Sequence, residues 1–218
     1  MDRKDIENAL TELKTNSPKR KFIQSIDLII NLKELNLKKP EHQLELFVPL
    51  PHPRGKETRI CAIVGPELVE QTKKLCDAVI TPDQFPQYAQ NKKMIKKLAT
   101  TCDIFIAQVT FMTDIAKIFG RILGPRGKMP NPKAGCVVPP TANITPLVEK
   151  LKKTLKIAVK TQLNFKCRVG TEQTPPDQLA ENILVIVQNI TRALPQEHSN
   201  IKNILLKLTM SKPVVLKP

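Results

Sequence analysis

The chain has 218 residues, a net charge of +15 and a hydrophobic share of 41%, with seven Phe, one Tyr and no Trp. That length holds one large or two small domains, and the scarcity of aromatics leaves packing to Ile, Leu and Val. The charge calls for an acidic partner, nucleic acid before an anionic membrane, and it says nothing about fold.

No apolar run approaches the roughly 20 residues that span a bilayer, so no membrane partner is expected. The N-terminus, Met1-Asp-Arg-Lys-Asp5, opens a polar helix and lacks the apolar core of a signal peptide. A cytosolic location follows. Five cysteines (Cys61, Cys76, Cys102, Cys136, Cys167) and three histidines (His42, His52, His198) are scattered, with no Cys-x-x-Cys pair. Neither a disulfide framework nor a metal site is expected, and no cofactor is called for.

Residues 2–15 carry a stripe of Ile6, Ala9, Leu10 and Leu13, which predicts a helix capped by Asp2. Asn16-Ser-Pro-Lys19 breaks it. The alternation of Phe22, Gln24, Ile26, Leu28, Ile30 and Leu32 predicts a strand. Ser25, Asp27, Asn31 and Lys33 fall on its other face. A second strand is expected at 43–50, with Leu44, Leu46 and Val48 alternating. Pro49-Leu-Pro-His-Pro-Arg-Gly55 is too rich in proline to continue it and reads as a linker.

From Arg59 the rhythm changes. Short apolar strands are expected at Ile60–Val64, Ala78–Ile80 and Ile104–Ala107. Pro66 suits the first turn of a helix. Residues 87–99 read as one helix with a polar face crowded by Lys92, Lys93, Lys96 and Lys97, most simply a solvated face. Thr110–Ile122 is a helix with Met112, Ile115, Ile118, Phe119 and Ile122 inward, and Pro146–Thr154 is a short basic helix. The β-α-β-α-β-α order argues for a parallel, doubly wound sheet. Beyond it, strands are expected at Ile157–Leu163 and Phe165–Val169. Thr174 caps a helix from Pro175 to Leu194, Ile201–Met210 is a last long strand, and Pro213–Leu216 is a tail.

The first 57 residues offer one helix and two strands, too little to bury a core alone, and the last 65 have a similar shortage. Together they complete a two-layer α+β unit. The sequence therefore divides into a split domain, 1–57 with 154–218, and an inserted domain, 58–153. Linkers near 50–58 and 153–156 would lie side by side as a hinge. Charge is uneven: residues 61–153 carry 14 basic and 7 acidic side chains, residues 1–60 carry 12 and 9, and residues 154–218 carry 9 and 4. The split domain has the more balanced charge, so its binding cannot rest on bulk charge alone and needs a shaped site.

The most unusual stretch is Arg121-Ile-Leu-Gly-Pro-Arg-Gly-Lys-Met-Pro-Asn-Pro-Lys-Ala-Gly135. Its glycines and prolines make a stiff, irregular loop, and Arg121, Arg126, Lys128 and Lys133 stand in it with no acid between them. Such a loop suits a polyanion, and equally suits a solvated helix end. It is not a phosphate-binding P-loop. Counting back from Gly127-Lys128, Ile122 stands where the first glycine belongs and Met129 where the hydroxyl belongs. Asp27, Asp103 and Asp114 fall on different elements, and no catalytic residue is assigned. A nucleotide-binding enzyme would rest on fold analogy alone.

The string Leu123 to Gly135 resembles the signature of a ribosomal family, that of the large-subunit protein of the mobile stalk beside the tRNA exit site. This is the L-one family, in its archaeal type. The resemblance extends over nearly the whole chain. It implies an α/β protein of two domains, a split ferredoxin-like α+β domain with an inserted Rossmann-like α/β domain. It implies binding of large-subunit rRNA by the split domain, through Arg20, Lys21, Phe22, Ser25 and Asp27 near one end. Gly170, Asn203, Thr209, Met210 and Ser211 belong to the same implied surface. Arg121, Arg126, Lys128 and Lys133 would make secondary RNA contacts. From periodicity alone, Phe22 reads first as a core residue at the end of an apolar face. Thr209-Met210 match the family's Thr-Met-Gly motif, but Ser211 replaces its glycine and Lys212 stands where proline is usual. Further implied are exit-site tRNA as a partner in release of deacylated tRNA, repression of the protein's own mRNA at a leader or coding-region site, and a monomer off the ribosome. The competing expectation is an RNA-binding module governed by charge alone.

Overall fold

The computed structural model describes residues 3–18, 20–39, 42–55 and 57–216. The first half of the chain forms α1 (Arg3–Thr15), β1 (Ser25–Leu32), β2 (Leu44–Pro49), β3 (Ile60–Ile63), α2 (Pro66–Leu75), β4 (Ala78–Ile80), α3 (Phe85–Gln90) and α4 (Lys92–Thr101). The second half forms β5 (Ile104–Gln108), α5 (Met112–Leu123), β6 (Val137–Val138), α6 (Thr145–Lys153), β7 (Thr154–Val159), β8 (Asn164–Thr171), α7 (Pro176–Ala193), β9 (Ile201–Leu208) and β10 (Val214–Leu216). Two compact units result: Met1–Lys56 together with Lys153–Pro218, and Glu57–Lys152. The expected caps and cations at Asp2 and Lys19 lie outside the described residues.

In the split unit, a four-stranded antiparallel sheet has the order β10-β9-β1-β8, and β2 pairs with β7 as a separate antiparallel ribbon. Burial alternates strictly along β1, because successive side chains of a strand point to opposite faces. Ile26, Leu28 and Ile30 join Leu206, Val169, the α1 residues Ile6, Leu10 and Leu13, and the α7 residues Leu179, Ile183 and Ile186 in one core. Two helices thus cover one sheet face. The other face, with Ser25, Asp27, Ile29 and Asn31 along β1, is only half-buried.

Several expectations change here. Strand β1 begins at Ser25, so Phe22 lies before it and is 51% exposed; it is no core residue. The tail is a strand, because β10 pairs with β9 through Val214↔Leu206 and Leu216↔Ile204. Thr174 does not cap α7; its hydroxyl accepts the Thr171 N–H at 3.1 Å, and Pro175 holds the cap position with no side-chain bond. The proline-rich segment after β2 is packed rather than free. Leu50 is buried, and its N–H donates to the Lys153 carbonyl at 3.0 Å. The buried Asn182 accepts the His52 N–H and donates to the carbonyls of His52 and Val169. A segment outside a ladder must still have its buried backbone groups paired; here the Lys153 carbonyl serves Leu50 and the Asn182 side chain of α7 serves His52.

The inserted unit is a parallel sheet of order β4-β3-β5-β6 with a core on each face. Cys61, Ile63 and Phe105 pack with Ile95 of α4 and Phe119 of α5 on one side. Ile60, Ala62 and Ile106 pack with Leu68 of α2 and Val148 of α6 on the other. Strands buried on both faces read as continuous apolar runs, and the doubly wound expectation holds. The two-residue β6 escaped the sequence. The single helix expected at 87–99 is two. Asn91 separates them, and its carboxamide oxygen accepts the Lys93 N–H at 3.2 Å, capping α4. Lys92, Lys93, Lys96 and Lys97 are exposed on α4, as a solvated face would be. Helix α5 is preceded by a 3-10 turn, Val109–Phe111, and α6 ends one residue before Thr154, which opens β7.

Candidate nucleic-acid interface

The split unit brings residues from opposite ends of the chain to one edge of its sheet. Antiparallel pairing of β1 with β9 matches Ile26 with Leu208, so Ser25 meets Thr209 just past the last rung. The Thr209 hydroxyl accepts the Ser25 N–H at 3.2 Å and lies 3.1 Å from the Ser25 hydroxyl. The neighbouring Gln24 is completely buried. Its carboxamide oxygen accepts the Met210 N–H at 3.1 Å, while its own carbonyl accepts the Glu172 N–H at 2.9 Å. One side chain therefore ties the start of β1 to the turn after β9. The sequence hid this role, because Gln24 occupies an apolar row. The available signal was that a buried amide must be hydrogen-bonded.

Ser211 explains how the chain manages without the family's glycine. Its hydroxyl accepts the Leu208 N–H at 2.9 Å and donates to the Lys212 carbonyl at 3.0 Å. Its N–H reaches the Leu208 carbonyl at 3.3 Å. Its backbone is not in the left-handed region, so the turn costs serine nothing sterically, and the hydroxyl closes it from within.

Around this junction three apolar side chains face solvent: Phe22, Ile23 (56% exposed) and Met210 (54% exposed). Arg20 and Lys21 are exposed beside them in the chain. Further along the half-open face, Asp27 stands between Arg168 of β8 and Lys207 of β9 in strand register. Arg168 is a flanking cation that the sequence reading did not single out; its place on this face follows only from the register with Asp27. The Asn31 amide donates to the Asn203 side-chain oxygen at 2.7 Å.

Not every expected residue joins the cluster. Asn203 pairs with Asn31, six positions along β1 from Ser25, or about 20 Å at strand rise. Gly170 is buried, and a Cβ there would stand 2.4 Å from Leu179 Cδ2. It lets α7 approach β8 and offers nothing to a partner. The thiol of Cys167, two strand positions before Val169, is pushed up to about 12, first by burial.

In the inserted unit, the loop after α5 is more tightly built than its composition implied. Gly127 and Gly135 take φ of 65° and 73°, angles that side chains resist. Lys128 is not a free cation. Its ammonium donates to the carbonyls of Ala99 at 2.9 Å and Cys102 at 2.7 Å, at the end of α4, and lies 4.0 Å from Asp103. A helix C-terminus with bare carbonyls is where a lysine is best placed. The acid missing within the loop is thus supplied from another segment. Arg126 donates to the Thr100 hydroxyl at 3.1 Å but remains exposed, as do Arg121 and Lys133. Among the described residues, no group of three or more His, Cys, Asp or Glu is placed to hold a metal ion. No helix there is long and apolar enough to cross a membrane.

The model of the ribosomal protein L1p/L10e family matches residues 13–212. The chain belongs to this family. The match begins within α1 and ends just past the Thr209-Met210-Ser211 turn, so both halves of the junction fall inside it. Among curated members of the L1p/L10e family, the chain is 42% identical to the large ribosomal subunit protein uL1 of Methanothermococcus thermolithotrophicus, covering 100% of both chains. It is 37% identical to that of Thermoplasma volcanium, over 98% of this chain and 96% of the relative. It is 39% identical to that of Pyrococcus abyssi, over 99% and 97%. The L1p/L10e family is a structural one, not a family of enzymes, and this chain is a structural protein of the large ribosomal subunit.

Proposed function

We propose that the split unit grips large-subunit rRNA of the mobile stalk through the junction of its strand ends. The observation that carries this reading is the bonding of Thr209 to Ser25 and of Gln24 to Met210. These bonds fix two chain ends before any partner arrives. A preformed site loses less ordering entropy on binding. Phe22, Ile23 and Met210 offer apolar surface against a sugar or base, Arg20 and Lys21 offer charge to phosphates, and the Ser25 and Thr209 hydroxyls sit between. Ribosomal placement puts the protein in the cytoplasm.

The same reading assigns the inserted unit the part of a movable arm whose Arg121, Arg126 and Lys133 touch RNA secondarily. It gives the protein a share in release of deacylated tRNA at the exit site. It also has the protein repress its own mRNA wherever that message mimics the rRNA site, and makes it a monomer off the ribosome. The test is equilibrium binding to a stalk rRNA fragment, set against an unrelated duplex RNA of equal length. Wild type prefers the stalk fragment at moderate salt, and Phe22→Ala removes most of the preference. A purely charge-driven binder instead shows a steep salt slope and no preference. Should Phe22→Ala bind as wild type while changes at Arg121 and Arg126 abolish binding, the wrong surface has been chosen.

A further inference from the structure

A cavity of about 570 Å³ opens beside the junction, between the last turn of α1 and the turn from β9 to β10. Its lining includes Glu12, Leu13, Asn16, Met210, Lys212 and Pro213. Met210 belongs to both the junction and this cavity, so a strand of RNA lying on the junction passes its mouth. The size is that of a small-ligand site.

The chemistry of the lining is specific. Glu12 and Asn16 are four residues apart, and the Asn16 N–H still donates to the Glu12 carbonyl at 2.9 Å. Helical spacing therefore sets both side chains on one face. Leu13, Pro213 and the Met210 thioether give apolar and polarizable walls for an aromatic ring. Lys212 stands on the same rim, placed for a phosphate. Glu12 is the anomaly. A carboxylate facing a polyanion repels it, unless the carboxylate accepts hydrogen bonds from a base.

We infer that this cavity receives one unpaired nucleobase of the bound RNA, and that the base is guanine, read by Glu12. The inference rests on the RNA-binding reading above. Guanine alone presents two adjacent donors, N1–H and the N2 amine, to match the two oxygens of a carboxylate. Adenine and cytosine set a ring nitrogen lone pair against one oxygen. Uracil flanks its single N–H with carbonyls. Asn16 offers a second polar contact to the base, and the walls stack on its faces, as extruded bases are generally held.

The experiment uses the full chain and a stalk rRNA fragment in which each unpaired guanosine is replaced in turn by inosine, which lacks the N2 amine. One position weakens wild-type binding about tenfold, a usual value for one good base contact. In Glu12→Ala, binding to the unmodified fragment falls similarly, and the inosine effect at that position disappears. Glu12 is exposed, so the variant's fold is not at stake. The inference is overturned if no inosine changes wild-type binding by more than twofold, or if the effect persists in Glu12→Ala. It is also overturned if Glu12→Ala binds more tightly, which is what removal of a merely repulsive charge would do. If wild type shows no preference for the fragment at all, the RNA-binding reading itself has failed, a different result from selective binding that ignores Glu12.

Discussion

Thr209→Val replaces a hydroxyl by a methyl of nearly the same size, so it tests the junction without opening a cavity. The wild-type hydroxyl meets the Ser25 N–H at 3.2 Å and the Ser25 hydroxyl at 3.1 Å. Thr209 is exposed, so water replaces part of what is lost. The stability cost is therefore about 1 kcal/mol or less. The cost to RNA binding has the same ceiling. Gln24 still accepts the Met210 N–H and the Ser211 hydroxyl still closes the turn, so the penalty of ordering the junction on binding cannot exceed what the lost tie contributed, about 1 kcal/mol. That is a loss of about fivefold in affinity for a stalk rRNA fragment. The assay is equilibrium binding over a salt series, with thermal melting as the control. No charge is removed, so the slope of log K against log salt stays at the wild-type value. Binding within twofold of wild type would refute the preorganised junction. A loss accompanied by a changed salt slope would refute it as well, by showing that phosphate contacts had moved.

Three further outcomes are expected. Gly170→Ala places a methyl 2.4 Å from Leu179 Cδ2 and lowers stability by about 1–3 kcal/mol through overpacking, read as a lower melting temperature; RNA affinity of the folded fraction is unchanged. Lys128→Met removes the donors that hold the Ala99 and Cys102 carbonyls; hydrogen exchange speeds up in the loop after α5, whereas the salt slope of RNA binding stays the same if this lysine does not contact phosphate. The Glu45 carboxyl is held below its usual range, chiefly by a hydrogen bond from Lys160 and also by one from Lys156. Its contribution is present above the unfolded carboxylate value and lost as pH falls through the lower folded one. Glu45→Gln therefore weakens the protein at neutral pH and narrows its gap to wild type as the medium is acidified, which a melting series against pH checks.

Much of the fold was legible because periodicity states which face is buried. Ile6, Leu10 and Leu13 announce α1, and the alternation from Ile26 to Leu32 announces β1. The misplacements have local causes. Phe22 continues the two-residue rhythm of β1, but the strand begins only at Ser25, so rhythm alone put an exposed ring in the core. Asn91 interrupts a helical pattern with a cap that competes with the helix interior. Strands as short as β6 and β10 carry too few residues to show a period, and they exist because a neighbouring edge accepts them.

By itself, the sequence determined that the chain is basic, that an α/β pattern is embedded in an α+β one, and, through the string from Leu123 to Gly135, which family it belongs to. These are properties of order along the chain, and order needs no coordinates. Tertiary structure alone decided that Gln24 holds Met210, that Lys128 faces inward, and that Gly170 serves packing. It also decided that Asn203 stands far from Thr209 and that a cavity opens beside Met210. Each of these depends on which residues become neighbours across the fold, from Gly170 and Leu179, 9 positions apart, to Gln24 and Met210, 186 apart. Strand register and helix packing set that, through the burial of apolar faces and the need to satisfy every buried polar group.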